Sequence, residues 1–387
     1  MNRIGEMIER LCPKGVKKVF VGDIIEYHTG GTLTRHQVKQ EGLYPVMNGG
    51  TDYSGFYDSF NYDENVLTIS HWGSSASHVH RHHKKFWANN ACWIFTPKKQ
   101  SNCSLGYLYY ILKNKENIMA SKYCFGGATP NLNRQLFERI EIPLPPLTIQ
   151  REIVSVLDSF TTLIDKMKQE VELRKKQMEY YREKLLSFDE EIRKLSFGKD
   201  FTLKARIGWQ GLTKKEYLPD GEYKLITGTD FTTNNTIDFD HCVYVSKERY
   251  EQDPYIQIKE DDVLITKDGT LGKIAYISEL PMPATLNGGV FVVRGKTGEV
   301  TQRFLKHYLI SNNFKNWIEQ NHTAGSIMHL TQKLLEKFNI PVPSPSTQED
   351  IVSTLDAFEQ YISKLERLIT LREKQYAYYR EKLLTFE

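Results

Sequence analysis

The chain has 387 residues, of which 40% are apolar and 12% aromatic, with a formal net charge of +3. That length and apolar content suit two or three domains with real cores and exclude a disordered polypeptide. No apolar run reaches membrane-spanning length and the opening MNRIGEMIERLCPKG lacks a signal-type apolar core, so the cytoplasm is the expected compartment.

The first block, about 1–140, reads as short β-branched and aromatic runs punctuated by Gly, Asn and Asp, with one helical candidate from Leu105 to Asn117. Its densest feature is SHWGSSASHVHRHHKK at 70–85. This is expected to be a basic, turn-rich loop suited to phosphate and base-edge contact. A zinc site is disfavoured there because Cys and carboxylate partners at ligand spacing are missing. The cysteines (Cys12, Cys92, Cys103, Cys124 and Cys242) form no CxxC pair, which argues against zinc and against a disulfide framework alike.

A Pro-rich extended piece then leads into a helix, Ile142 to Phe188, with Thr148 as the expected cap. Apolar residues recur in alternating steps of four and three: Ile153, Leu157, Phe160, Ile164, Met167, Val171, Met178, Tyr181, Leu185 and Phe188. This is the a/d seam of a coiled coil, broken once at Arg174.

The second block, 198–338, has the same strand-and-turn texture and a helical candidate from Thr301 to Gln320. Its fragment TKDGTLGKIAY, from Thr266 to Tyr276, resembles a phosphate loop only superficially. The Gly spacing is too short and Ile274 stands where Ser or Thr is required, so no nucleotide site is expected.

The segment from Ile340 to Phe386 closes the chain and repeats Ile142 to Phe188 without a gap, matching at 24 of 47 positions at a constant offset of 198. Ser346 and Glu349 have capping-box spacing, and the seam returns position for position, broken at Arg372. The matched breaks at Arg174 and Arg372 fit a paired register device or two arginines that snorkel to water. Two helices of roughly 36 residues at 1.5 Å rise make a rod of about 54 Å, and the two are expected to pack on each other as antiparallel partners.

Weaker echoes, such as ENVLTIS against DDVLITK, extend the duplication to the globular blocks. The expected fold class is therefore α+β: two globular domains (1–140 and 198–338) joined by two long repeat-helix segments (141–197 and 339–387) that form a coiled coil, with pseudo-twofold internal symmetry. The blocks differ in charge. Residues 17–140 carry 14 Lys and Arg against 9 Asp and Glu, and residues 198–338 carry 18 of each. A shared scaffold thus carries two different readers.

Catalytic motifs are missing from the sequence. There is no Asn/Asp-Pro-Pro-aromatic loop to hold a flipped adenine, no glycine-rich cofactor turn after a strand and no GxSxG elbow. The chain reads as non-catalytic, without a metal of its own.

The approach IPLPPLTIQREIVSVLDSF, its second copy IPVPSPSTQEDIVSTLDAF, the Tyr-rich helices and the opening MIERLCPKGVKKVFVGDII resemble the DNA-specificity subunit of type I restriction-modification systems along essentially the whole chain. The resemblance implies that each block is a target recognition domain reading one half of a split, asymmetric double-stranded DNA site. It also implies that the helices set the spacing and dock two methyltransferase subunits, which bring S-adenosylmethionine and methylate adenine. Two restriction subunits can join the full complex.

The expected DNA contacts are Arg35, His71, Ser74, Ser75, His78, His80, Arg81, His82, Lys84, Asn131 and Arg134 in the first domain. In the second they are Lys214, Lys215, Lys267, Thr270, Lys273 and His329. At 3.4 Å per base pair, the rod caps the separation of the half-sites near 16 base pairs. Two rival readings stay open at this point: a coiled-coil adaptor whose globules bind proteins, and a metal-dependent nuclease built on the histidine cluster.

Overall fold

The computed structural model describes residues 2–28, 30–207, 211–268, 271–321 and 330–386. It divides into two compact units, one formed by residues 1–169 with 367–387 and the other by 170–366. Helix Leu147–Leu185 starts in the first unit and ends in the second, and helix Pro345–Thr385 does the reverse.

Inside the first unit a four-stranded antiparallel sheet runs in the order Ile25–His28, Cys92–Pro97, Val66–Ser70 and Val79–His82. A three-stranded sheet combines Gly55–Tyr57, Tyr44–Met47 and Trp87–Ala88, the last pair parallel. A short ladder joins Lys18–Phe20 to Glu141–Pro143 at the root of the long helix.

The second unit repeats this element by element. Its four-stranded sheet is Phe201–Lys204, Val290–Gly295, Val263–Thr266 and Ile274–Tyr276. Its three-stranded sheet is Val243–Val245, Tyr223–Ile226 and Ala284–Leu286, and its root ladder is Lys194–Ser196 with Asn339–Pro341. The duplication inferred from the helices therefore extends through both globular blocks.

The predicted seam is the buried line of both helices. In the first unit Ile153 and Leu157, with Ile149, join the sheet core, together with Leu383 and Leu384 from the far end of the other long helix. In the second unit Ile351 and Leu355 do so with Leu186. The helix segments are antiparallel in each unit. Phe160 faces Tyr376 and Tyr379 while Lys168 pairs with Glu373 at 2.7 Å; Tyr181 stacks on Phe358 while Lys175 pairs with Glu366 at 2.9 Å.

Helix starts differ from expectation. Pro345 takes the first helical position, where its missing N–H costs nothing, and Ser344 caps it by accepting the Thr347 N–H at 3.2 Å. Thr148 and Ser346 lie inside the first turn rather than at the cap.

The arginines that break the seam turn to their own helices. Arg174 donates to Glu170 and Gln177, both at 2.7 Å, and lies over the Tyr361 ring; exposed Arg372 donates to Gln375. Both guanidinium heads find hydrogen-bond partners on their own helices.

Candidate nucleic-acid interface

The histidine-rich stretch is a turn-rich loop only in its first half, residues 71–78. Residues Val79–His82 form the edge strand of the four-stranded sheet, paired antiparallel with Val66–Ile69. Strand alternation then sorts its side chains. His78, His80 and His82 form a file, with ring centroids 4.6 and 6.0 Å apart.

His82 is 1% exposed, stacks on Phe86 at 3.7 Å, and bonds Thr68 Oγ1 at 2.8 Å and Tyr53 Oη at 3.0 Å. It is a core residue, which corrects its expected place on the surface. Burial pushes its pKa down to about 3, and burial with the neighbouring His78 and Lys113 pushes His80 down to about 4. Burial lowers His78 as well, against the charge of Glu116. These imidazoles are neutral near pH 7 and carry no charge towards a phosphate.

Arg81 faces the opposite way. It donates to Asp158 on the long helix at 3.2 Å, and the same carboxylate accepts the Tyr110 hydroxyl at 2.6 Å. Arg81 thereby ties the edge strand to the helix.

The remaining first-domain candidates lie nearer the surface. Ser74 and Lys84 are exposed and Ser75 is half-buried. His71 stacks on Trp93 at 5.1 Å and bonds the Asn90 carbonyl. Asn131 is exposed on a two-residue strand paired with Phe125, and exposed Arg134 lies over the Tyr27 ring while donating to Glu138 at 2.8 Å.

One exposed basic turn occurs in both domains. Arg35 sits on the 3-10 turn Arg35–Gln37, closed by a capping box between Thr34 and Gln37. Lys214 and Lys215 sit on the turn Lys214–Glu216, closed the same way by Thr213 and Glu216. Both turns present their cations on a backbone fixed by side-chain bonds. Farther on, Lys267 is half-buried over the Phe291 ring and Lys273 is exposed, while Thr270 and His329 lie outside the described residues.

Two functional positions escaped the sequence reading although both are repeated 198 residues apart. Gln150, fully buried, accepts the Ser104 N–H at 2.8 Å and donates to the Asn102 and Pro145 carbonyls. Gln348 accepts the Thr301 N–H at 3.0 Å and donates to the Glu299 and Pro343 carbonyls. Ser104 and Thr301 are the N-caps of the domain helices Leu105–Asn114 and Gln302–Ile310, so each glutamine fixes a globular domain to the root of a long helix.

Asp158 and Asp356 are the second pair. Asp356 accepts from His307 Nε2 at 2.8 Å and from Arg303. His307, Asp356 and Glu359 have the spacing of a metal site, but Lys306 bonds Glu359 and Arg303 bonds Asp356, so these carboxylates are already neutralised by cations. Burial lowers the His307 pKa. Burial would raise that of Asp356, but the His307 bond and the charges of Lys306 and Arg303 outweigh it and hold it below the usual carboxylate range.

Among the described residues no helix is long and apolar enough to cross a membrane. The family model described as "Type I restriction modification DNA specificity domain" matches residues 13–173 and 210–373. The chain is 30% identical over 316 residues to the Type I restriction enzyme EcoR124I/EcoR124II specificity subunit of Escherichia coli, covering 77% of this chain and 75% of that one. It is 23% identical to the MjaVIII specificity subunit of Methanocaldococcus jannaschii over 96% of this chain and 90% of that one. Its fold is similar to the crystal structure of a type I restriction-modification S subunit from M. genitalium, with a TM-score of 0.65, 19% identity and coverage of 95% and 96%. Two family-matched segments that coincide with two repeated domains, each rooted on its own long helix by the same glutamine, place this chain in the type I restriction-modification DNA specificity family.

Proposed function

We propose that this chain is the non-catalytic subunit that reads an asymmetric, bipartite double-stranded DNA site and positions adenine methyltransferase subunits on it. The first domain (1–140) reads one half-site and the second (198–338) the other. The segments 141–197 and 339–387 act as spacer and docking elements for two methyltransferase subunits, which carry S-adenosylmethionine. Two restriction subunits complete the assembly where the cell makes them.

The observation that carries this reading is the duplicated, capped basic turn. Each domain holds cations (Arg35; Lys214 and Lys215) on a rigid exposed turn, the arrangement that positions a protein on a phosphate backbone while neighbouring loops reach base edges. Side chains around those turns differ between the domains, which suits two unlike half-sites.

A salt titration of duplex binding by the chain with its methyltransferase tests the reading. Binding that weakens linearly in log-log form with rising salt, by a slope of about 0.9 per phosphate contacted, supports it. Salt-independent binding, or assembly with proteins alone, supports an adaptor instead.

A further inference from the structure

In the first domain three exposed residues on different strand segments fall into one row. Asn131 pairs with Phe125 in a short antiparallel ladder, and on its other side forms a bridge with Trp72. Two backbone bonds, from the Leu132 N–H to the His71 carbonyl and from the Gly73 N–H to the Pro130 carbonyl, both 2.9 Å, frame the Trp72 bridge. Residues opposite each other on paired strands project from the same face. Their neighbours Leu132 and Cys124, paired with each other, turn to the core instead. Trp72, Asn131 and Phe125 therefore point to solvent side by side, with Trp72 57% and Phe125 56% exposed.

Two large aromatics held open by a ladder that buries its other face form an exposed apolar surface. The charge around it selects the partner. Residues 17–140 carry 14 Lys and Arg against 9 Asp and Glu, and exposed Lys122 lies three residues before Phe125. An apolar row on a domain of net positive charge is complementary to a polyanion. Cross-strand Cα spacings of about 4.5 and 5.5 Å make the row about 10 Å long, the rise of about three base pairs.

Resting on the reading of this domain as a DNA-recognition domain, we infer that the Trp72–Asn131–Phe125 row is its base-reading surface in the major groove. The Asn131 carboxamide pairs with the N6 and N7 edge of an adenine, and the two rings contact thymine methyl groups on either side. The half-site read by the first domain accordingly contains A·T pairs at adjacent positions.

The test is the sequence of methylated adenines in cells carrying the assembled methyltransferase with wild-type chain, Asn131→Ala, Trp72→Ala or Phe125→Ala. The expected result is a bipartite wild-type motif of which one half only relaxes at A·T positions, about 10-fold or more for Asn131→Ala, with the other half unchanged. Both aromatics are solvent-facing, so thermal melting and co-purification of the methyltransferase stay at wild-type values. A bipartite wild-type motif left intact by all three variants overturns the row while leaving the function standing. Loss of methyltransferase co-purification with an unaltered motif assigns the row to a protein partner and overturns it too. Absence of any wild-type motif overturns the function itself.

Discussion

Gln150 Oε1 accepts the backbone N–H of Ser104 at 2.8 Å across 46 residues of chain, and Gln348 makes the same bond to Thr301. The glutamine of the repeated approach is thus the bolt between each recognition domain and its helix. Gln150→Ala leaves a buried amide and two carbonyls without partners, at about 1–3 kcal/mol for each group left unsatisfied. Urea unfolding is expected to show a loss of about 3 kcal/mol for Gln150→Ala, and Gln150→Glu is expected to be little better because a carboxylate donates nothing to the two carbonyls.

Arg81 and Lys84 separate by role although they are three residues apart. Arg81 is tied to Asp158, whereas Lys84 is exposed. Lys84→Ala is expected to lower the salt-dependence slope of DNA binding by about 1. Arg81→Ala should leave the slope unchanged and lower the melting temperature, as Asp158→Ala does. Equal slopes for both variants would remove Lys84 from the interface, and a lowered slope for Arg81→Ala would put Arg81 into it.

The capped turns make a paired forecast. Arg35→Ala in the first domain and the Lys214→Ala, Lys215→Ala pair in the second each reduce the salt slope, by about 1 per cation removed, without changing the methylated motif. Phosphate contacts position the protein and carry no base information. A changed motif would show that these turns read bases.

Acid acts through the buried imidazoles. His80 and His82 are held at about 4 and about 3, below the ordinary value of 6.5, so the unfolded chain binds protons that the folded chain refuses. Their stabilising effect is fully present above pH 6.5 and is lost as pH falls from there towards the folded values. Each contributes a slope of about 1.4 kcal/mol per pH unit. His82→Gln keeps hydrogen-bonding capacity without titrating. Its denaturation midpoint should therefore fall less steeply with pH than wild type between pH 6 and 4.5, and equal slopes would contradict the assignment.

The helices were legible because their seam repeats at one fixed offset, so two independent copies reported the same period. The globular blocks were legible as strand-and-turn texture and as a pair, but not in the direction their side chains take. The loop expected over 70–85 took in the strand 79–82, because a histidine that enters a core does so on partners far along the chain, such as Tyr53 and Thr68. Gln150 stood in plain view as a repeated residue, yet its role depends on Ser104, which local pattern does not bring near. Trp72 belonged to the stretch expected to contact DNA, but its alignment with Phe125 depends on the ladder through Asn131, which local pattern does not show.

The most direct measurement is a genome-wide map of methylated adenines in cells with this chain and after its deletion. The account predicts a bipartite, asymmetric motif present with the chain and lost without it, restored by the full chain supplied from a plasmid. An identical set of methylated motifs in both maps, with the methyltransferase subunits expressed, would contradict it.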